Sequence, residues 1–347
     1  MPISRRDLLK FGTGATASLL FGRGAAAAQR VAGALPAPGS DTAAEDIALR
    51  ARPLGAPHTQ NPLLTKPIPS TGEQIPVIGL GSSQTFNLRP GPEGYAEAQE
   101  VVRLFRELGG TVIDSSPTYG RSEPFVGETI QKLGIQNDVF IATKVNVGNA
   151  GSDAAVRQME ESLRTYGRAS LDLIQVWNLG GSIRQLTDAY IAQHMEVLKE
   201  WKDAGRIRYL GITTSRDPQY ADVEAAMRAY TMDFVQLDYS IGDRVPEQRL
   251  LPLARERGIA VLANRPFTTG NLFSRVRGRD LPDWAADFDC TSWAQFFLKF
   301  IVSHPAVTCA IPATGDPAHL RDNMGAGRGR LPDESTRRRM VELFETL

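Results

Sequence analysis

Val139-Phe140-Ile141-Ala142-Thr143, then an amphipathic stretch over 153–166, then Leu171-Asp172-Leu173-Ile174-Gln175-Val176-Trp177: these residues decide the fold. The two flanking runs are short and almost continuously apolar, the pattern of strands buried on both faces. Between them the apolar residues return with helical period, and a helix of that length can cross back to begin a parallel neighbour. The same alternation recurs outward in both directions. Candidate strands fall at 77–81, 111–115, 139–143, 171–177, 208–213, 234–239, 260–264 and 307–311, and candidate helices at 95–108, 153–166, 188–204 and 218–230. Gly109-Gly110, Gly205 and Gly258 follow helical patterns, where glycine stops a helix. Eight strand–helix units predict an α/β fold, a parallel (β/α)8 TIM barrel. An open doubly wound sheet would place a glycine-rich turn and a helix start after its first strand, and Gly79-Leu80-Gly81-Ser82-Ser83 lacks both the third glycine and the helix start. Ahead of the first strand, Lys66-Pro67-Ile68-Pro69 and Gln74-Ile75-Pro76-Val77 flank Ser70-Thr71-Gly72-Glu73, which reads as an N-terminal hairpin plugging the barrel bottom.

The 347 residues are 42% hydrophobic and 22% charged, an ordinary globular balance that argues against disorder along the whole chain. Lysine plus arginine and aspartate plus glutamate each number 39, so there is no basic excess to suggest a nucleic-acid partner. Cys290 and Cys309 are too few for a disulfide framework. Either they form one bridge or Cys309 is a core thiol, and the second reading is favoured. No His, Cys or carboxylate spacing suggests a metal site, and no stretch signals an oligomer interface.

The N-terminus reads as an address. Ser4-Arg5-Arg6-Asp7-Leu8-Leu9-Lys10 precedes a short apolar run at 11–21 and small residues at 25–28. This resembles the twin-arginine export signal. The expected organisation is a signal peptide over 1–28, a linker over 29–65 and the barrel over 66–347, with contact to the export machinery and a periplasmic or otherwise exported location.

In a barrel of this kind the active site lies at the C-terminal ends of the strands. Asp114 ends the second candidate strand, with Tyr119 just beyond it. Lys144 follows the third, and Gln236 lies near the end of the sixth. A strand-end lysine beside an aspartate forms a partly buried ion pair, and a neighbouring tyrosine would have its pKa lowered by the ammonium. Such a tyrosine can protonate a carbonyl oxygen as hydride reaches the carbon. Singly, each residue has a plainer reading, as a loop cap or a solvated charge. As a trio at successive strand ends they favour catalysis.

Ile113-Asp114-Ser115-Ser116-Pro117-Thr118-Tyr119-Gly120-Arg121-Ser122-Glu123 resembles the aldo-keto reductase signature around its catalytic Asp and Tyr, and Thr143-Lys144-Val145 is similar to the segment bearing that family's Lys. The resemblance runs from about residue 67 to about residue 325. It implies an oxidoreductase using NADP(H), with NAD(H) as the second choice, to reduce an aldehyde, ketone or sugar-like carbonyl. Tyr119 would be the general acid, Lys144 its partner and Asp114 the residue that holds Lys144. Further resemblance places Thr213, Thr214 and Gln236 at the nicotinamide carboxamide, Thr314 and His319 near the ribose phosphate, and Asp322 and Asn323 near adenine. A small-residue loop running into a helix N-terminus suits a phosphate.

The chain departs from that pattern in three places. Trp177 stands where the family has a catalytic histidine, exchanging a compact titratable donor for a bulky one that cannot accept. In Ala263-Asn264-Arg265-Pro266-Phe267, Asn264 replaces the aromatic residue that stacks on nicotinamide. Arg265 offers a guanidinium to the pyrophosphate, and Phe267 joins the same wall. Arg275, Arg277 and Arg279 either fold over the phosphates or form a solvated loop. Ala313 and His319 take the places where NADPH-selective relatives often carry Lys and Arg, which would weaken selection of NADPH over NADH. The loss of histidine leaves an alternative: a non-catalytic or altered-chemistry barrel that binds a cofactor or senses it.

Overall fold

The structure is a computed structural model that describes residues 61–91, 94–148, 150–177, 188–215 and 219–347. The predicted signal peptide, most of the linker, Asn178 and Pro218 lie outside the described residues. Residues before 66 also belong to the folded body. Leu64 donates its N–H to Gly327 O at 2.7 Å, and Thr65 already belongs to a strand.

That strand, β1 (Thr65–Pro67), pairs antiparallel with β2 (Gln74–Pro76), with Lys66 opposite Ile75. The turn between them includes Gly72 at φ 79°, a left-handed conformation that glycine adopts without steric cost. Eight parallel strands follow: β3 (Leu80–Gly81), β4 (Val112–Asp114), β5 (Phe140–Val145), β6 (Leu171–Val176), β7 (Ile207–Thr213), β8 (Phe234–Asp238), β9 (Ala260–Asn264) and β10 (Cys309–Ala310). Each pairs with its neighbour in chain order. Parallel bridges Ile78↔Ala310 and Gly81↔Ala313 join the last strand to the first, so the sheet closes. The result is the (β/α)8 barrel that the alternation predicts.

The first and last barrel strands are shorter than the apolar runs at 77–81 and 307–311. Pairing at this seam runs through single bridges rather than a ladder, with Gly79 N–H to Ala310 O at 2.8 Å and Ala310 N–H to Val77 O at 2.9 Å. The backbones approach closely there: a Cβ added to Gly81 would sit 2.8 Å from Ile311 O, so only glycine fits.

The helices described are α1 (Tyr95–Glu107), α2 (Ser122–Leu133), α3 (Ser152–Tyr166), α4 (Asp188–Asp203), α5 (Tyr220–Ala229), α6 (Leu250–Arg257), α7 (Asn271–Arg275), α8 (Trp293–Val302), α9 (Pro317–Gly325) and α10 (Glu334–Thr346). The glycine stops sit where expected, with Gly109, Gly205 and Gly258 all at positive φ.

Two apolar clusters divide the barrel wall between them. Ile113, Ile141, Val145, Ile212, Val235 and Val261 face outward onto the helices. Val112, Phe140, Tyr209, Phe234, Ala260 and Cys309 face the barrel interior. Ile68 and Ile75 of the hairpin are buried among this inner set, where Phe140 and Tyr209 stack at 5.8 Å, so the hairpin does plug the bottom. Both cysteines are buried and free, and Cys309 is a core thiol.

Candidate active site

Strand alternation carries the inward row of each strand from apolar at the bottom to polar at the top. On β5 the inward residues are Phe140, Ala142 and then Lys144. On β4 they are Val112 and Asp114, on β8 Phe234 and Gln236, and on β9 Ala260, Leu262 and Asn264. Two residues beyond Gln175, which β6 aligns with Lys144, comes Trp177. The polar ends converge on one cleft of about 950 Å³. That is within the size range of about 300–1,000 Å³ usual for small-molecule sites.

At its base Lys144 Nζ lies 2.7 Å from Asp114 Oδ1 and donates to Ser115 O at 2.7 Å, with the two side chains 1% and 4% exposed. Burial works against the Lys144 ammonium, but the Asp114 carboxylate and Tyr119 outweigh it, and the lysine pKa rises. The lysine therefore keeps its charge where Tyr119 can feel it, with Nζ 5.1 Å from the centre of the phenol ring. The tyrosine itself corrects an expectation. Burial raises its pKa above 10.0, and the pulls of Lys144 and the Trp177 indole do not overcome that. The phenol is thus firmly protonated, which is the form an acid needs.

Thr213, Gln236, Asn264, Arg265 and Phe267 line the same cleft. Asn264 donates through Nδ2 to Thr214 O at 3.2 Å. Gln236 Oε1 and Asn264 Oδ1 are buried with no partner among the described residues, so two amide oxygens wait for donors.

Several of the expected residues are engaged by other partners. Thr214 turns its hydroxyl away to Gln219 Oε1 at 2.7 Å. Arg265 is held by Asp238 at 3.2 Å and by Ser215 O at 3.1 Å, so its guanidinium is already engaged. Thr314 is buried and accepts from Asp316 N–H at 3.0 Å, while Asp316 caps α9 through Ala318 N–H. His319 is exposed and lies 3.6 Å from Asp316. Asp322 accepts from Ser292 Oγ and Gln295 Nε2, which ties α9 to the start of α8, and Asn323 is buried. Arg275 stacks on Phe344 at 4.2 Å and donates to its carbonyl, while Arg277 and Arg279 are exposed.

Sequence reasoning missed the polar wall of the cleft formed by Ser83, Gln84, Thr85 and Asn87, and the apolar wall at Phe273. No periodic signal marks a loop of this kind. In the structure Asn87 accepts from Arg121 N–H at 2.9 Å, which ties that loop to the segment bearing Tyr119.

Comparisons with known proteins address the family and the fold. Aldo-keto reductase YhdN of Bacillus subtilis is 29% identical over 219 residues, a match that spans 60% of this chain and only 63% of that protein. Methylglyoxal reductase YeaE of Escherichia coli is 29% identical over 257 residues, 72% of this chain and 84% of that one. Among solved structures, an aldo-keto reductase from Klebsiella pneumoniae in complex with NADPH has a TM-score of 0.66 at 22% identity, covering 81% of this chain and 96% of that one. The sequence model of the Aldo/keto reductase family matches residues 77–339, and that span takes in every strand of the barrel and Asp114, Tyr119 and Lys144, so the chain belongs to the aldo/keto reductase family.

Proposed function

We propose that this chain is an NAD(P)H-dependent reductase of aldehydes, ketones or sugar-like carbonyls in which Tyr119 donates the proton. The observation that carries the reading is the buried Asp114–Lys144 pair beside Tyr119 at the mouth of the barrel, with Lys144 Nζ 5.1 Å from the ring centre. A bound reduced nicotinamide would supply the hydride. The residues present fit such a group, because the unpartnered Gln236 Oε1 and Asn264 Oδ1 can accept from a carboxamide N–H₂. Thr213 and Phe267 line the cleft beside them. As Tyr119 gives its proton to the carbonyl oxygen, its oxygen becomes anionic. The buried Lys144 ammonium, fixed by Asp114 and Ser115 O, stabilises that negative charge.

NADP(H) is the first choice of cofactor, because an NADP(+)-linked aldo-keto reductase of Schizosaccharomyces pombe and the NADPH-bound Klebsiella protein are both similar to this chain. NAD(H) is the second, since Ala313 carries no charge and His319 points to solvent beside Asp316. The first experiment is a fluorescence and calorimetric titration of purified protein with NADPH and with NADH, followed by a carbonyl screen. Saturable binding and turnover support the reading. Failure to bind either cofactor, reduced or oxidised, sinks it.

Trp177 favours a second reading, since it lines the cleft in the position of the family histidine. On that reading the barrel binds cofactor without reducing carbonyls, and Trp177→His would switch reduction on in an otherwise silent protein. For location we propose export by the twin-arginine route, on the motif at 4–10. Replacing Arg5 and Arg6 with lysine should trap the protein in the cytoplasm, and unaffected export would refute this.

A further inference from the structure

Directly behind the catalytic lysine lies a buried acid that the proposed reaction does not use. Glu123, in the first turn of α2, is 4% exposed. It accepts a hydrogen bond at 2.8 Å from Thr143 Oγ1, the residue immediately before Lys144 on β5. Alternation turns Thr143 outward toward the helices while Lys144 points into the barrel. The hydroxyls of Ser162 and Tyr166 on α3 lie near the Glu123 carboxyl, and Tyr166 also lies near Thr143 and Ser115, but neither hydroxyl makes a hydrogen bond among the described residues. Ser115 is the residue whose carbonyl holds Lys144. One buried polar cluster is therefore bonded to the strand that carries the lysine and lies near the residue whose carbonyl holds it.

We propose that Glu123 is a positioning residue that works as a neutral carboxylic acid, holding Thr143 and with it the strand that presents Lys144 to Tyr119. Its neighbours in that cluster are hydroxyls. The charged or titratable groups that face it are Lys144 on β5 and Tyr166 on α3, with Asp114 beyond Tyr166. Lys144 is already engaged by Asp114 and Ser115 O and offers Glu123 no direct ion pair. A carboxylate buried among hydroxyls loses more in hydration than such donors return, so the proton stays. Burial accordingly lifts the Glu123 carboxyl above its ordinary range. Neutrality also has a use at the site. A second carboxylate behind Lys144 would divide its field between two anions and weaken its hold on the anionic oxygen that forms at Tyr119. As an acid, Glu123 accepts from Thr143 while its own O–H remains free to donate to Ser162 or Tyr166.

The inference rests on the reductase reading for its kinetic arm only. An infrared difference spectrum between wild type and Glu123→Gln at neutral pH should show the C=O band of a protonated carboxylic acid. Glu123→Ala should lose about tenfold or more in kcat with cofactor Kd unchanged, because a displaced Lys144 affects proton transfer and not binding. Glu123→Gln, neutral and still able to accept from Thr143, should restore most of that loss. Thr143→Val removes the same bond without touching the acid and carries the kinetic arm if Glu123→Ala does not fold. A carboxylate band in wild type overturns the proposal. So does a Gln variant as impaired as the Ala variant, or full kcat in both Glu123→Ala and Thr143→Val. A wild type without turnover would refute the reductase reading, while the infrared band still decides the protonation of Glu123.

Discussion

Tyr119 and Lys144 both have pKa values raised above their ordinary ones, for different reasons: burial for the phenol, and the Asp114 carboxylate against burial for the ammonium. Reduction requires both protons. The rate of carbonyl reduction should therefore be flat through neutral pH and fall only on the alkaline side, above 10.0 where an ordinary tyrosine titrates. A pH profile of kcat tests this, and a limb near neutrality would contradict it. Tyr119→Phe should lose about 10²-fold or more in kcat with cofactor affinity retained, as expected for a general acid and not a binding group. At this scale the motif around Asp114 and Tyr119 was legible because it is contiguous. The phenol's raised pKa was not, since desolvation depends on everything packed around the ring.

At the scale of elements, the hairpin β1–β2 closes the barrel bottom with two isoleucines rather than with an extended interface. Ile75→Ala should cost about 2–4 kcal/mol by removing transfer energy and leaving a cavity. The shift in urea midpoint measures this, and a change within error would mean the hairpin is only draped over the bottom. Helix α2 meets α3 at Gly127, where an added Cβ collides with Thr165 O. Gly127→Ala should therefore destabilise by about 1–3 kcal/mol, because backbone on the neighbouring helix has to move. Thermal unfolding reads that cost. The plug was anticipated from two proline-flanked extended runs around a Gly-containing turn. The Gly127 contact was not, because nothing within one helix says how closely the next one lies.

For the whole molecule, acid sensitivity has an identifiable source near the barrel bottom. His304 is partly buried, and its Nδ1 accepts from Ala306 N–H at 3.2 Å. Burial first, then the nearby positive charges of Arg337 and Lys66, lower its pKa from 6.5 to about 4. The folded value lies below the unfolded one, so this stability is present above 6.5 and is lost as pH falls toward 4. Melting temperature followed from pH 7 to pH 4 should drop, and more gently in His304→Gln; parallel slopes would remove His304 as the cause. What the sequence by itself determined is the order of strands and helices, the parallel barrel and the Asp114–Tyr119–Lys144 trio. Periodicity and motif are properties of neighbouring residues and survive without coordinates. Only the tertiary structure decided which polar residues share the cleft. Asp322 is tied to the Ser292 and Gln295 side chains, Arg265 is bound to Asp238 and Glu123 sits behind Lys144. Those outcomes depend on contacts between residues far apart in the chain and on the water each contact excludes.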